Sequence, residues 1–124
     1  MGFTGKVLEI GISFWRMSVI YALNLFNFVL GKEDMYRDYS VKAGRIIYGL
    51  GGRVVSSGCK PIRYLEGNVN REQFIIVEFP SEKAFEQFHF EAKQLDIHRL
   101  RDESTADYIW TLFEPWDLRD WVKT

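Results

Sequence analysis

Arginine, histidine and tyrosine set among apolar residues are the candidates for chemistry in this chain, and Arg101, His89 and His98 lead them. A guanidinium near the last strand offers a planar fork of donors that suits a carboxylate or an enolate oxygen. Its plainer role is an ion pair with Asp102, Glu103 or Glu78. Imidazole titrates near neutral pH, so His89, four residues after Phe85, can serve as a general base if its ring meets a cavity, and so can His98. The plainer reading of both is a place on a helix flank.

Ligand-binding candidates come from polar or amphipathic side chains inside apolar runs, because a buried polar group must find a partner. Asn24, Glu78, Tyr39 and Trp110 are the selected set, with Asn27, Thr111 and Tyr21 as further polar interruptions. Asn24 and Asn27 fall on opposite faces of one strand, so only one of them can serve a given cavity. Cys59 beside Lys60 has no histidine paired with it by spacing, which weighs against a thiolate nucleophile. One cysteine and two histidines build neither an internal disulfide nor an ordinary four-ligand zinc site, and no cofactor or metal is expected.

The elements that must position these residues follow from periodicity. Ser18 to Phe28, uncharged and rich in β-branched and aromatic residues, predicts a first strand. Met35, Tyr39, Ala43, Ile46, Ile47 and Leu50 recur at helical spacing, and Gly49, Gly51 and Gly52 end that helix. Those glycines follow a helix, the wrong context for cradling phosphate. Arg53 to Leu65 reads as a second strand disturbed between Gly58 and Pro61, a turn falls at Gly67 to Asn70, and Gln73 to Phe79 is the third strand. Ser81 caps a second helix with Phe85, Phe88, Ala92 and Leu95 as its stripe, a short helical piece reaches Arg101, and Tyr108 to Phe113 is the fourth strand.

The order β-α-β-β-α-β predicts an α+β, ferredoxin-like subunit, a four-stranded antiparallel sheet with two helices on one face. Tyr21, Leu23 and Leu25 alternate with Ala22, Phe26 and Phe28, and Phe74 and Ile76 alternate with Ile75, Val77 and Phe79, so both sheet faces are apolar. Two helices cover one face only. The other is expected to pack against a second copy, giving a homodimer by sheet-to-sheet contact.

With 124 residues the chain bounds one domain, expected at 18–114, between an N-terminal extension 1–17 and a C-terminal tail 115–124. Leu8, Ile10, Ile12 and Phe14 alternate in the extension like an added edge strand or an arm, and Leu118, Trp121 and Val122 share a helical face that suggests a docked tail. Sixteen basic against seventeen acidic residues give a net charge of -1, which argues against nucleic acid as a partner. The charge-free stretch from Met17 to Gly31 is shorter than the roughly 20 apolar residues of a spanning helix, and no targeting segment stands out. A cytoplasmic protein without a membrane partner is expected.

The strings YGLGGRVV from Tyr48, LEG at Leu65 to Gly67 and FIIVEFPS at Phe74 to Ser81 resemble the family named domain of unknown function 1330 (DUF1330), of the dimeric α+β barrel superfamily. The likeness spans roughly Ser18 to Glu114. It implies the same subunit and the same sheet-to-sheet dimer, among relatives that include cofactor-free monooxygenases, muconolactone isomerases and haem-handling proteins. Where the family often shows an acidic residue or serine, then proline, glutamate and tyrosine, this chain has Phe90 to Gln94, while the arginine that follows matches at Arg101. Two functions stand open: a small apolar or aromatic metabolite bound by a cofactor-free isomerase or monooxygenase-like enzyme, or the same ligand held by a non-catalytic sensor or carrier. Haem would require His89 or His98 as an axial ligand.

Overall fold

A computed structural model describes residues 19–123. The chain runs β1 (Ile20–Phe28), α1 (Glu33–Gly49), β2 (Arg53–Gly58), β3 (Gln73–Phe79), α2 (Glu82–Gln94), α3 (His98–Ser104), β4 (Thr105–Phe113) and α4 (Leu118–Lys123). The sheet order is β2-β3-β1-β4, with every neighbouring pair antiparallel. Strands joined by a helical crossover are separated by one strand between them, which is the ferredoxin-like arrangement expected from the element order.

Alternation along the strands places the core. Ala22, Asn24 and Phe26 of β1 and Val77 and Phe79 of β3 are buried on one face. They meet Tyr36, Tyr39, Ala43 and Ile47, spaced three and four apart on α1, and Phe88 and Ala92 on α2. Glu33 and Asp34 in the first turn of α1 complement the helix dipole. Ser81 caps α2, its Oγ accepting the Ala84 N–H at 3.0 Å.

Several boundaries differ from the sequence reading. β1 starts at Ile20, and β2 ends at Gly58 instead of running to Leu65, because Lys60 turns left-handed (φ 53°) and Pro61 has no N–H for the ladder. The β2–β3 connection is therefore a long loop, with Ile62, Leu65 and Val69 exposed, and not a tight turn at Gly67. Gly58 itself is needed, since the Phe74 ring lies where its Cβ would be. Leu95 caps α2 and is exposed, and Ile97 takes the core place assigned to it. Arg101 stands inside a helix rather than at its end, and β4 begins at Thr105, earlier than Tyr108.

The early start of β4 comes with a bulge. Leu25 pairs with Ile109 but Asn27 pairs with Ala106, leaving an extra residue at the left-handed Asp107 (φ 56°). Asn27 clamps this bulge, donating to the Asp107 carboxylate at 3.1 Å and accepting the Glu72 N–H at 2.8 Å, a structural role. α3 precedes this bulge, and its Arg101 lies over the β4 aromatics Tyr108 and Trp110.

The opposite face carries Tyr21, Leu23, Leu25, Phe74, Ile76, Ile109 and Phe113, and within the described chain it is not covered as the helix face is. Arg53 and Glu78 pair on it at 3.1 Å. The expected strand or arm at Leu8 to Phe14 lies outside the described residues. α4 forms, with Trp116 and Trp121 edge-to-face at 5.4 Å, and none of its residues is buried against this chain. Among the described residues no helix is long and apolar enough to cross a membrane.

Candidate functional site

Between α1 and the sheet lies a cavity of about 90 Å³. Ala22, Asn24, Ile75, Tyr108 and Trp110 form its sheet wall, and Tyr36, Tyr39, Ser40, Ala43 and Gly44 its helix wall. Ser40 on α1 and Val54 on the edge strand β2 are exposed at its rim, so the space opens between those two elements.

The polar network of the sheet wall is closed. The Tyr108 hydroxyl donates to Asn24 Oδ1 at 2.6 Å, and Asn24 Nδ2 donates to the Ala22 and Ile75 carbonyls at 3.3 Å each. Asn24 faces the cavity as expected, but its polar atoms are engaged with the protein. Phe26 stacks on Tyr108 with ring centroids 5.1 Å apart and leans on Tyr36 at 5.0 Å, which fixes both phenols. Burial raises Tyr36 and Tyr108 well above the ordinary phenol value, and the proximity of neighbouring phenols adds to it. Burial also raises Tyr39, opposed by the Arg101 charge beside its hydroxyl.

Behind this wall stands a second group. The Arg101 guanidinium lies 4.7 Å from the Tyr108 ring centroid and 4.8 Å from that of Trp110. Asp102 takes its Nε and Nη2 at 3.2 and 3.1 Å, while Nη1 is buried without a partner. Both ring nitrogens of His98 are likewise buried and unpartnered. The His98 ring sits 6.1 Å from Tyr39, 6.0 Å from Trp110 and 5.3 Å from His89. Burial, with the Arg101 charge and then His89 behind it, lowers His98 to about 4.

The sequence candidates thus divide. Tyr39, Trp110, Arg101 and His98 converge, and Asn24 borders them as part of the scaffold. Glu78 is on the other face of the sheet, paired with Arg53, because strand alternation sets it opposite Val77 and Phe79. His89 is exposed and stacks on Phe85 outside the cavity, and neither histidine lines it, so neither offers an axial haem ligand there. Sequence reasoning passed over Tyr36, Ser40 and Tyr108. Tyr36 was open to discovery, since 36, 39, 43 and 47 make a cleaner helical stripe than the one starting at Met35. Cys59 is free and exposed, and among the described residues no cluster could hold a metal ion.

Comparison with solved structures shows the same fold. The RPA0582 protein of unknown function from Rhodopseudomonas palustris is similar with a TM-score of 0.69 at 20% identity, over 90% of this chain and 92% of that one. An uncharacterised NIPSNAP-like domain protein from Burkholderia xenovorans matches with a TM-score of 0.54 at 8% identity, covering 81% and 87%. SnoaB, a cofactor-independent oxygenase from Streptomyces nogalater, matches with a TM-score of 0.54 at 11% identity, covering 80% and 94%. No curated protein matches the sequence. The family model of the domain of unknown function DUF1330 matches residues 21–112, nearly the whole span from β1 to β4, and the chain belongs to that family.

Proposed function

We propose that this protein binds a small apolar or aromatic metabolite in the cavity between α1 and the sheet, and that it does so as a homodimer joined through the open sheet faces. The observation that carries the reading is an apolar, aromatic-lined space whose described titratable wall residues, Tyr36, Tyr39 and Tyr108, are all phenols held protonated. The Tyr108 proton is already given to Asn24, so Tyr39 is the phenol that meets a ligand oxygen, and the wall holds no base poised near neutral pH. Binding without turnover is the function it supports best. The dimer reading rests on the apolar residues of the second face, which the described residues leave without a covering layer. The domain then spans 18–114, and the tail 115–124 with its exposed Trp116 and Trp121 adds to the contact between subunits.

A catalytic reading has one observation in its favour, the unpartnered His98 beside Tyr39, and the fold of a cofactor-independent oxygenase stands next to it. On that reading Tyr39, which lines the cavity, steadies a ligand oxygen that has become negative, with His98 acting through Tyr39. Native mass spectrometry of freshly purified protein tests binding and assembly together, because it reports subunit number and occupant mass at once. A dimer carrying a small organic molecule is the expected result, and an empty monomer at micromolar concentration overturns both parts. If the occupant is consumed on incubation in air, the protein is an enzyme, and its unchanged recovery supports carriage.

A further inference from the structure

We infer, building on the binding reading above, that the cavity selects an anion: a small ring-bearing molecule whose carboxylate or enolate oxygen is received at Tyr39, with Arg101 and His98 behind it. Three of the buried side-chain atoms left without partners in the described chain gather here, Nη1 of Arg101 and both nitrogens of His98. A buried polar atom without a partner costs free energy, and folded proteins seldom keep several together without a use for them. Donors dominate the surroundings. Tyr39 and Trp110 both line the cavity and meet Arg101 and His98, and Tyr39 brings the hydroxyl.

Asp102 pairs with one side of the guanidinium only, and the other acceptors nearby are engaged elsewhere. Asp102 occupies the Nε side of the guanidinium and is 64% exposed, so the fork is not free for a bidentate ligand and Arg101 acts through Nη1 and its charge. Glu78 lies across the sheet with Arg53. The Asn24 carbonyl is taken by Tyr108. An anion entering through the rim therefore meets the Tyr39 hydroxyl with the Arg101 charge behind it, while a cationic ligand meets repulsion.

Benzoate, benzamide and benzamidinium have nearly one shape and three charges, and isothermal titration of each into the full chain separates charge from fit. Benzoate is expected to bind roughly ten- to a hundredfold more tightly than benzamide, the usual margin for a hydrogen bond to a charged group, with benzamidinium weakest. Arg101→Met keeps an unbranched stem between Tyr108 and Trp110 and should erase that preference. Should this variant fail to fold, Tyr39→Phe, which retains the ring packing, should narrow it. Equal affinity for benzoate and benzamide overturns the inference while leaving the binding reading intact, as does a preference that survives in whichever variants fold. If none of the three binds, the binding reading falls and the inference with it.

Discussion

The hydrogen bond from Tyr108 to Asn24 ties the sheet wall of the cavity to its own scaffold, and its strength is open to a double-mutant cycle. Asn24 is 7% exposed, and its Oδ1 accepts the Tyr108 hydroxyl at 2.6 Å. Tyr108→Phe removes that donor and leaves a buried carbonyl oxygen unsatisfied, a cost of about 1–3 kcal/mol. Asn24→Leu, close in volume, removes the amide and orphans the Tyr108 hydroxyl instead, for a similar cost of about 1–3 kcal/mol. The double variant leaves neither orphan, so its destabilisation should fall short of the sum by about 1–2 kcal/mol. Urea denaturation of the four proteins at one fixed protomer concentration measures this, with unchanged m-values confirming that only stability has moved. Additivity to within about 0.5 kcal/mol would show that the two residues do not depend on one another, and the scaffold role of Asn24 would be refuted.

Three further outcomes follow from the same geometry. Gly44 sits in mid-helix on the cavity wall, and a Cβ added there would have nothing within 4 Å of it, so Gly44→Ala should stabilise the fold by about 0.5–1 kcal/mol and weaken binding of a ring ligand. A fall in melting temperature would contradict it. Because His98 is held at about 4 against 6.5, the unfolded chain takes up a proton between those values that the native chain refuses. Stability is therefore complete above pH 6.5 and drains as pH falls toward 4; denaturation curves should show this slope, and an identical slope in His98→Phe would assign it elsewhere. Ser81→Ala removes the cap on the Ala84 N–H and should cost about 1 kcal/mol, read by thermal denaturation against Ser81→Asn, which should cost almost nothing.

The fold was legible because β1 and β3 alternate without error, Phe26 and Phe79 inward and Leu23 and Ile76 outward, and because Pro80–Ser81 marks a helix start in any context. What eluded the sequence is what depends on register between distant segments. The bulge at Asp107 follows from how β4 meets β1, and no local pattern in the residues before Tyr108 separates helix from strand there. Arg101 was singled out for its chemistry, yet its place between Tyr108 and Trp110 depends on how α3 packs against β4, which no local pattern encodes. Glu78 lies away from this cavity for the opposite reason: its face is readable from alternation with Val77 and Phe79, which places it with Arg53 on the open side of the sheet. Leu95 and Ile97 exchanged places because a helix end shifts by a residue or two without changing the stripe that precedes it.

Satisfaction of hydrogen bonds separates the scaffold of this site from its working part. Asn24, Tyr108 and Asn27 have partners within the chain, and a ligand could take their polar atoms only by breaking those bonds. His98 and the Nη1 edge of Arg101 lack partners, although both lie among aromatic rings where a leucine would pack more cheaply. A chain selected for stability alone gains nothing from keeping an imidazole neutral and unpaired beside a guanidinium. The cost is reasonable if a third group, an anion that answers what Asp102 leaves unpaired, arrives through the rim between α1 and β2. Function in this family member is therefore to be sought first where its core is least satisfied.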